Sequence, residues 1–138
     1  MPGYLGNLPL QATGTISPSV FVSVSADYGV RQSSAAADIP VGISQVGFDR
    51  PPGLVQLLPG AVYTDIAAAS GEELQIFFLG DVCGLRLGSG GCSANQLLTS
   101  DASGRGVVAA GGNYVGALAM QGGNVDDIIQ VLVCLFKN

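Results

Sequence analysis

The sequence predicts an all-β fold, a small barrel or sandwich, on three observations. Apolar runs rich in β-branched and aromatic residues recur at roughly 8–12-residue intervals. Turns rich in glycine separate them, with 21 glycines among 138 residues. No run carries the 3.6-residue periodicity of a long helix. One domain accounts for this length. A chain of this size buries roughly two-thirds of the surface it would expose unfolded, enough for a core without staples.

Residues 1–26 contain no charged side chain, and Asp27 is the first. Within Met1–Gln11, Pro2, Gly3, Gly6 and Pro9 oppose helix and favour an extended arm. The expected division is an extended N-terminal arm over 1–18 and one β-rich domain over 19–138. Tyr4, Leu5, Leu8 and Leu10 make the arm apolar. Two readings stay open: a strand packed along its own domain, or an arm lying on a neighbouring subunit.

Val20–Ser25 is β-branched and aromatic with partial alternation, and Ala26-Asp27-Tyr28-Gly29 supplies hairpin-turn chemistry after it. A strand over Gly42–Val46 follows. Phe48-Asp49-Arg50-Pro51-Pro52-Gly53 marks a surface loop, with Asp49 and Arg50 as candidate contact residues. Leu54–Leu58 is a short apolar run stopped by Pro59-Gly60. Ala61–Ser70 is the one stretch with helical character, through Ala67, Ala68 and Ala69, although Gly60 and Gly71 crowd it. Further strands are expected at Leu74–Leu79, Val82–Leu87, Gln96–Thr99, Val107–Ala109, Tyr114–Met120 and Ile128–Phe136.

One pattern occurs twice. Ser25–Gly29, a short strand, the loop Ala35–Asp38 and Val41-Gly42-Ile43-Ser44 form the first copy. Ser100–Gly104, Val107-Val108, the loop Ala110–Asn113 and Val115-Gly116-Ala117-Leu118 form the second, with one residue of slippage. Two copies are too few for a solenoid. A β unit used twice in one barrel, or convergence on common turn chemistry, would each produce it.

Hydrophobic residues make up 48% of the chain and charged ones 11%, against ~25% in an ordinary soluble domain. So few charges protect a free surface poorly, which points to contact with copies of itself or with a larger assembly. The net charge is −5, from eight Asp and two Glu against Arg31, Arg50, Arg86, Arg105 and Lys137. Scattered cations do not neutralise phosphates, so nucleic acid and anionic membrane surfaces are not expected partners. Without a basic n-region or a long apolar run, the chain reads as one maturing in the cytoplasm. Cys83, Cys92 and Cys134 are then reduced by default, with a Cys83–Cys92 bridge across a hairpin as the lesser alternative.

Catalysis is not expected. No histidine is present, which removes the imidazole base, the Ser–His and Cys–His dyads and the usual zinc ligand. No metal or cofactor site is expected. The pairs Glu72-Glu73 and Asp126-Asp127 sit beside glycine turns and read as solvated turn residues. Gly84-Leu-Arg-Leu-Gly88-Ser-Gly90-Gly91 lacks the lysine and the following helix of a phosphate loop, and reads as hairpin-loop glycine.

The segment Asn95-Gln-Leu-Leu-Thr-Ser-Asp-Ala-Ser-Gly104, with Val115-Gly-Ala-Leu-Ala119 and Asp126-Asp-Ile-Ile-Gln-Val-Leu-Val133, resembles the capsid decoration (cement) proteins of tailed phages. In that family a Gln-Leu-(Leu/Val)-Thr-Ser-Asp-Ala-x-Gly hairpin precedes a glycine-rich loop. A strand opening (Val/Ile)-Gly-x-Ala and a closing strand Gly-x-x-x-Asp-x-Ile-x-Val-Leu come next. This sequence departs at Asn124-Val-Asp, where Gly-Asp is common. The match covers the C-terminal third; residues 1–94 follow only in order and style.

The resemblance implies a small β-barrel or β-tulip-like domain with an extended N-terminal arm. It implies a structural virion protein, usually trimeric, on the exterior of an expanded capsid, assembled in the host cytoplasm. Such a protein bridges neighbouring major capsid protein subunits. Tyr4, Leu5, Leu8 and Leu10 are its expected capsid or inter-subunit anchors, alongside Asp49 and Arg50. The alternatives are a β-sandwich binding module, or a phage tail or fibre component, recognising a glycan or a protein. An enzyme working with carboxylates alone ranks last.

Overall fold

The computed structural model describes residues 10–45 and 67–138. Among them ten strands form and no helix does. In chain order these are β1 (Gln11–Ala12), β2 (Phe21–Ala26), β3 (Gly29–Gln32), β4 (Pro40–Ser44), β5 (Ile76–Phe77), β6 (Val82–Arg86), β7 (Leu97–Ser100), β8 (Gly106–Val108), β9 (Tyr114–Ala119) and β10 (Ile128–Lys137). They make two five-stranded sheets, ordered β1–β3–β2–β4–β5 and β6–β10–β9–β7–β8. The pairing of β1 with β3 is parallel and the other ladders among the described residues are antiparallel.

Both sheets curl until their ends meet. In the first, Ala12 N–H donates to the Glu72 carbonyl at 2.9 Å and Leu74 N–H to the Leu10 carbonyl at 3.0 Å. The segment that feeds β5 is thereby tied back to β1. In the second, Leu87, just past β6, bridges Gly106 at the start of β8, and Gly88 N–H donates to the Gly106 carbonyl at 2.8 Å. Closure of this kind leaves fewer free strand edges for stray pairing.

Each sheet has its own apolar cluster. Leu10, Ala12, Ile16, Val22, Val30, Leu74 and Ile76 fill the first; Leu85, Leu98, Ala117, Ile129, Val131 and Val133 belong to the second. Period-2 alternation sends Val20 and Val22 into the first cluster and Phe21, between them, into the second. β2 is the wall between the two. The polar groups buried in this wall are paired: Ser23 and Ser33 share a hydrogen bond between their hydroxyls at 2.6 Å. No buried side-chain N or O atom among the described residues lacks a partner.

The all-β expectation is met, and the expected strands fall within a few residues of the observed ones. The helical character of Ala61–Ser70 is not realised in its described part: Ala68 forms a bridge with Ile16, and Ser70 and Gly71 turn. Alanine propensity yields there to tertiary pairing. Leu54–Leu58 and the loop 48–53 lie outside the described residues. Gly84–Gly91 also differs from its reading: Gly84–Arg86 belongs to β6, and because β6 pairs with β10 and not with β7, the glycines after it open a crossover.

The twice-used pattern has a structural counterpart. β2 and β3 form a hairpin, and β4 returns to the other side of β2, giving the order β3–β2–β4–β5. β7, β8, β9 and β10 repeat it as β8–β7–β9–β10. Both Val-Gly glycines sit at close approaches. A Cβ on Gly42 would run into the Phe77 carbonyl oxygen, and one on Gly116 would lie 2.5 Å from Phe21 Cε1.

Candidate functional site

The carboxylates are the first place to look for chemistry, and most of them close turns. Asp38, Glu72, Asp81 and Asp127 each accept a backbone N–H from three or four residues upstream: Ser34, Ala69, Phe78 and Asn124 respectively, at 2.8–2.9 Å. Asp101 Oδ1 accepts the N–H groups of Ser103 and Arg105, at 2.8 and 2.9 Å. Asp101 thus forms an Asx turn, and in the other four an acidic side chain reaches back to cap the N–H that opens its turn. Of the two acidic pairs, Glu72, Asp126 and Asp127 are thus turn residues, whereas Glu73 forms a bridge with Gln11. Asp126, next to one such cap, accepts from Arg105 Nη1 at 3.0 Å.

The arginines among the described residues are also engaged. Arg105 spans Asp101 and Asp126, and the two acids raise its pKa. Arg31 pairs with Asp38 at 3.0 Å. The Asp38 carboxyl is held below its ordinary value, first by the Ser34 N–H and then by Arg31, against the opposing effect of burial. An open cavity of about 380 Å³ lies on Ser17, Val20, Gln32, Arg86, Ser103 and Arg105. Gln32 crosses it, accepting from Ser17 N–H and donating to the Ser103 carbonyl. It holds no base or nucleophile other than hydroxyls.

The three cysteines are free thiols. Burial, with the Asp81 charge nearby, pushes the Cys83 pKa up to about 12, and burial also raises those of Cys92 and Cys134. None has the lowered pKa of a reactive thiol. No metal-binding cluster of His, Cys, Asp or Glu occurs among the described residues. No helix among them is long and apolar enough to cross a membrane.

The feature that stands out is a surface. On β10, Ile129, Val131 and Val133 point into the second core, which leaves Ile128, Gln130 and Leu132 on the outer face. Residues directly opposite in a ladder share a face. Leu132 pairs with Val82 on one side and with Leu118 on the other, and Leu118 pairs with Leu97. An apolar row therefore crosses four strands on the outside of the sheet. Ile128 and Met120 extend it, 53% and 54% exposed, beside Val82 at 52%. Of these outward positions only Gln130 is polar; the charged Arg86 stands at the corner, opposite Ile128.

Of the contact residues expected from sequence, Leu10 is buried in the first core, with its carbonyl bonded to Leu74. Tyr4, Leu5, Leu8, Asp49 and Arg50 lie outside the described residues. Sequence reasoning passed over the outer face of β10. Its signal was present: Ile128–Phe136 is apolar at nearly every position, where a strand with one wet face would alternate.

No protein-family model matches this chain, and no curated protein matches it. Among solved structures, the N base of head fiber gp8.5 of bacteriophage phi29 is similar, with a TM-score of 0.60 and 12% sequence identity. The similarity covers 94% of this chain and 95% of that one. Nearly end to end, then, the chain shares the fold of a phage head-fibre base domain.

Proposed function

We propose that this chain is a structural protein of a tailed-phage virion that sits on the exterior of the expanded capsid and stabilises it by bridging major capsid protein subunits. The observation that carries the reading is the likeness in fold, along almost the whole chain, to a phage head-fibre base domain. The motif resemblance in the C-terminal third points to the same class of protein. The apolar row across β6, β10, β9 and β7 supplies surface suited to repeated contact in an assembly.

In this reading the protein is not an enzyme, and its partners are the major capsid protein and further copies of itself. Its acids serve turns and its thiols are unactivated, so the chemistry it needs is contact alone. Tyr4, Leu5 and Leu8, and the loop residues Asp49 and Arg50, are assigned to contacts with the shell or with another copy. A fibre component is the second reading, favoured by the likeness to a head-fibre base.

Immunogold electron microscopy of intact virions with an antibody to this chain tests the assignment. Gold over the outer surface of the head is expected. Gold confined to the tail, or none on virions, would overturn it.

A further inference from the structure

The first nine residues of the chain suit the open outer face of the second sheet in another copy, and we propose that copies associate by laying this arm across that face. The inference deepens the self-association within the function proposed above. In the single chain Val82, Met120 and Ile128 remain about half exposed around the row Leu132–Leu118–Leu97. The described residues of the chain leave them uncovered.

The chemistry of the two parts matches. With a net charge of −5, copies repel one another unless they meet through uncharged parts. The arm is such a part, because no charged residue precedes Asp27. The row of the face is another, since none of its residues is charged. Tyr4, Leu5 and Leu8 offer apolar anchors, and Pro2 and Pro9 favour an extended course. Nine extended residues span at most roughly 30 Å, and four strands at a spacing of ~4.8 Å are about 19 Å wide. The arm is long enough to cross the face.

The root of the arm is fixed elsewhere. Leu10 is held in the first sheet by its bond to Leu74, whereas the face belongs to the second sheet. Donor and acceptor surfaces are therefore different patches. Arm and face can then be exchanged reciprocally between two copies or passed head to tail around a closed ring.

Light scattering on the purified full chain gives the first readout, with a discrete multiple of 13.9 kDa, two copies or more, expected. Leu5→Asp with Leu8→Asp should reduce this to the single-chain mass while the chain keeps its β circular-dichroism spectrum. Met120→Asp, on the exposed part of the face, should do the same. Mixing Leu5→Cys chains with Met120→Cys chains should give an interchain disulfide, while neither variant alone should.

A single-chain mass for the unaltered protein would overturn the proposal. So would a mass that neither set of substitutions changes, or a Leu5→Cys/Met120→Cys chain that cross-links within itself. If Met120→Asp lowers binding to capsids and leaves the mass intact, the face belongs to the shell; the arm proposal then falls and the virion reading stands. Intact oligomers that bind no capsid would have the opposite meaning.

Discussion

Gly104 shows how one residue joins the two halves of the molecule. It sits in the β7–β8 turn at φ +78°, a left-handed conformation that costs a residue with a Cβ about 1–2 kcal/mol. Its carbonyl accepts the Phe21 N–H at 2.8 Å, which ties the turn to the wall between the cores. A Cβ there would lie 2.9 Å from Gln32 Cγ and 3.2 Å from Val20 Cβ. Gly104→Val adds overpacking to strain and should lower stability by about 2–4 kcal/mol. Thermal unfolding measures this, and an unchanged melting temperature would contradict the turn assignment. Asp38 makes a prediction with pH. Its folded pKa is depressed, so its contribution is present above the ordinary carboxylate value of about 3.9 and is lost as pH falls through the folded value. Asp38→Asn should therefore be less stable than the unaltered chain at neutral pH, and the gap should close in acid. A gap that widens in acid would contradict the sign.

Among the elements, the strands were legible wherever apolar and β-branched residues cluster between turn residues. β2, β4, β6, β7, β8, β9 and β10 all fall where Val, Ile and Leu announce them. β1 was not legible, because two residues carry no pattern and Gln11–Ala12 is a strand only through its partners β3 and Glu73. The expected strand Leu74–Leu79 shrinks to Ile76–Phe77: Leu74 N–H goes to Leu10, and Phe78 enters the turn capped by Asp81. The outer face of β10 was written in the sequence, yet an all-apolar strand reads equally as one buried on both sides. Only the pairing partners show which face is open. The tie between Leu10 and Leu74 also separates two truncations. Measured at dilutions where copies do not associate, deleting residues 1–8 should leave the melting temperature unchanged. Deleting 1–11 removes a buried leucine and half of β1, and should cost about 2–4 kcal/mol. Equal stability of the two would show that β1 contributes nothing.

For the whole molecule, curling and closure were the least legible features, because single bridges such as Leu87–Gly106 and Gln11–Glu73 join residues far apart in sequence. The twice-used pattern was visible in turn chemistry and recurs as the same strand order in both sheets. Two small curled sheets sharing one wall make a compact, sparsely charged body, and such a body suits a lattice of repeated contacts more than free solution. The most direct test of the proposed virion role is co-sedimentation of the purified chain with expanded and unexpanded capsids encoded by the same genome. Saturable binding at a fixed ratio to capsid subunits, on expanded shells and not on unexpanded ones, is the expected result. No binding to either shell, at any concentration that leaves the protein soluble, would contradict it.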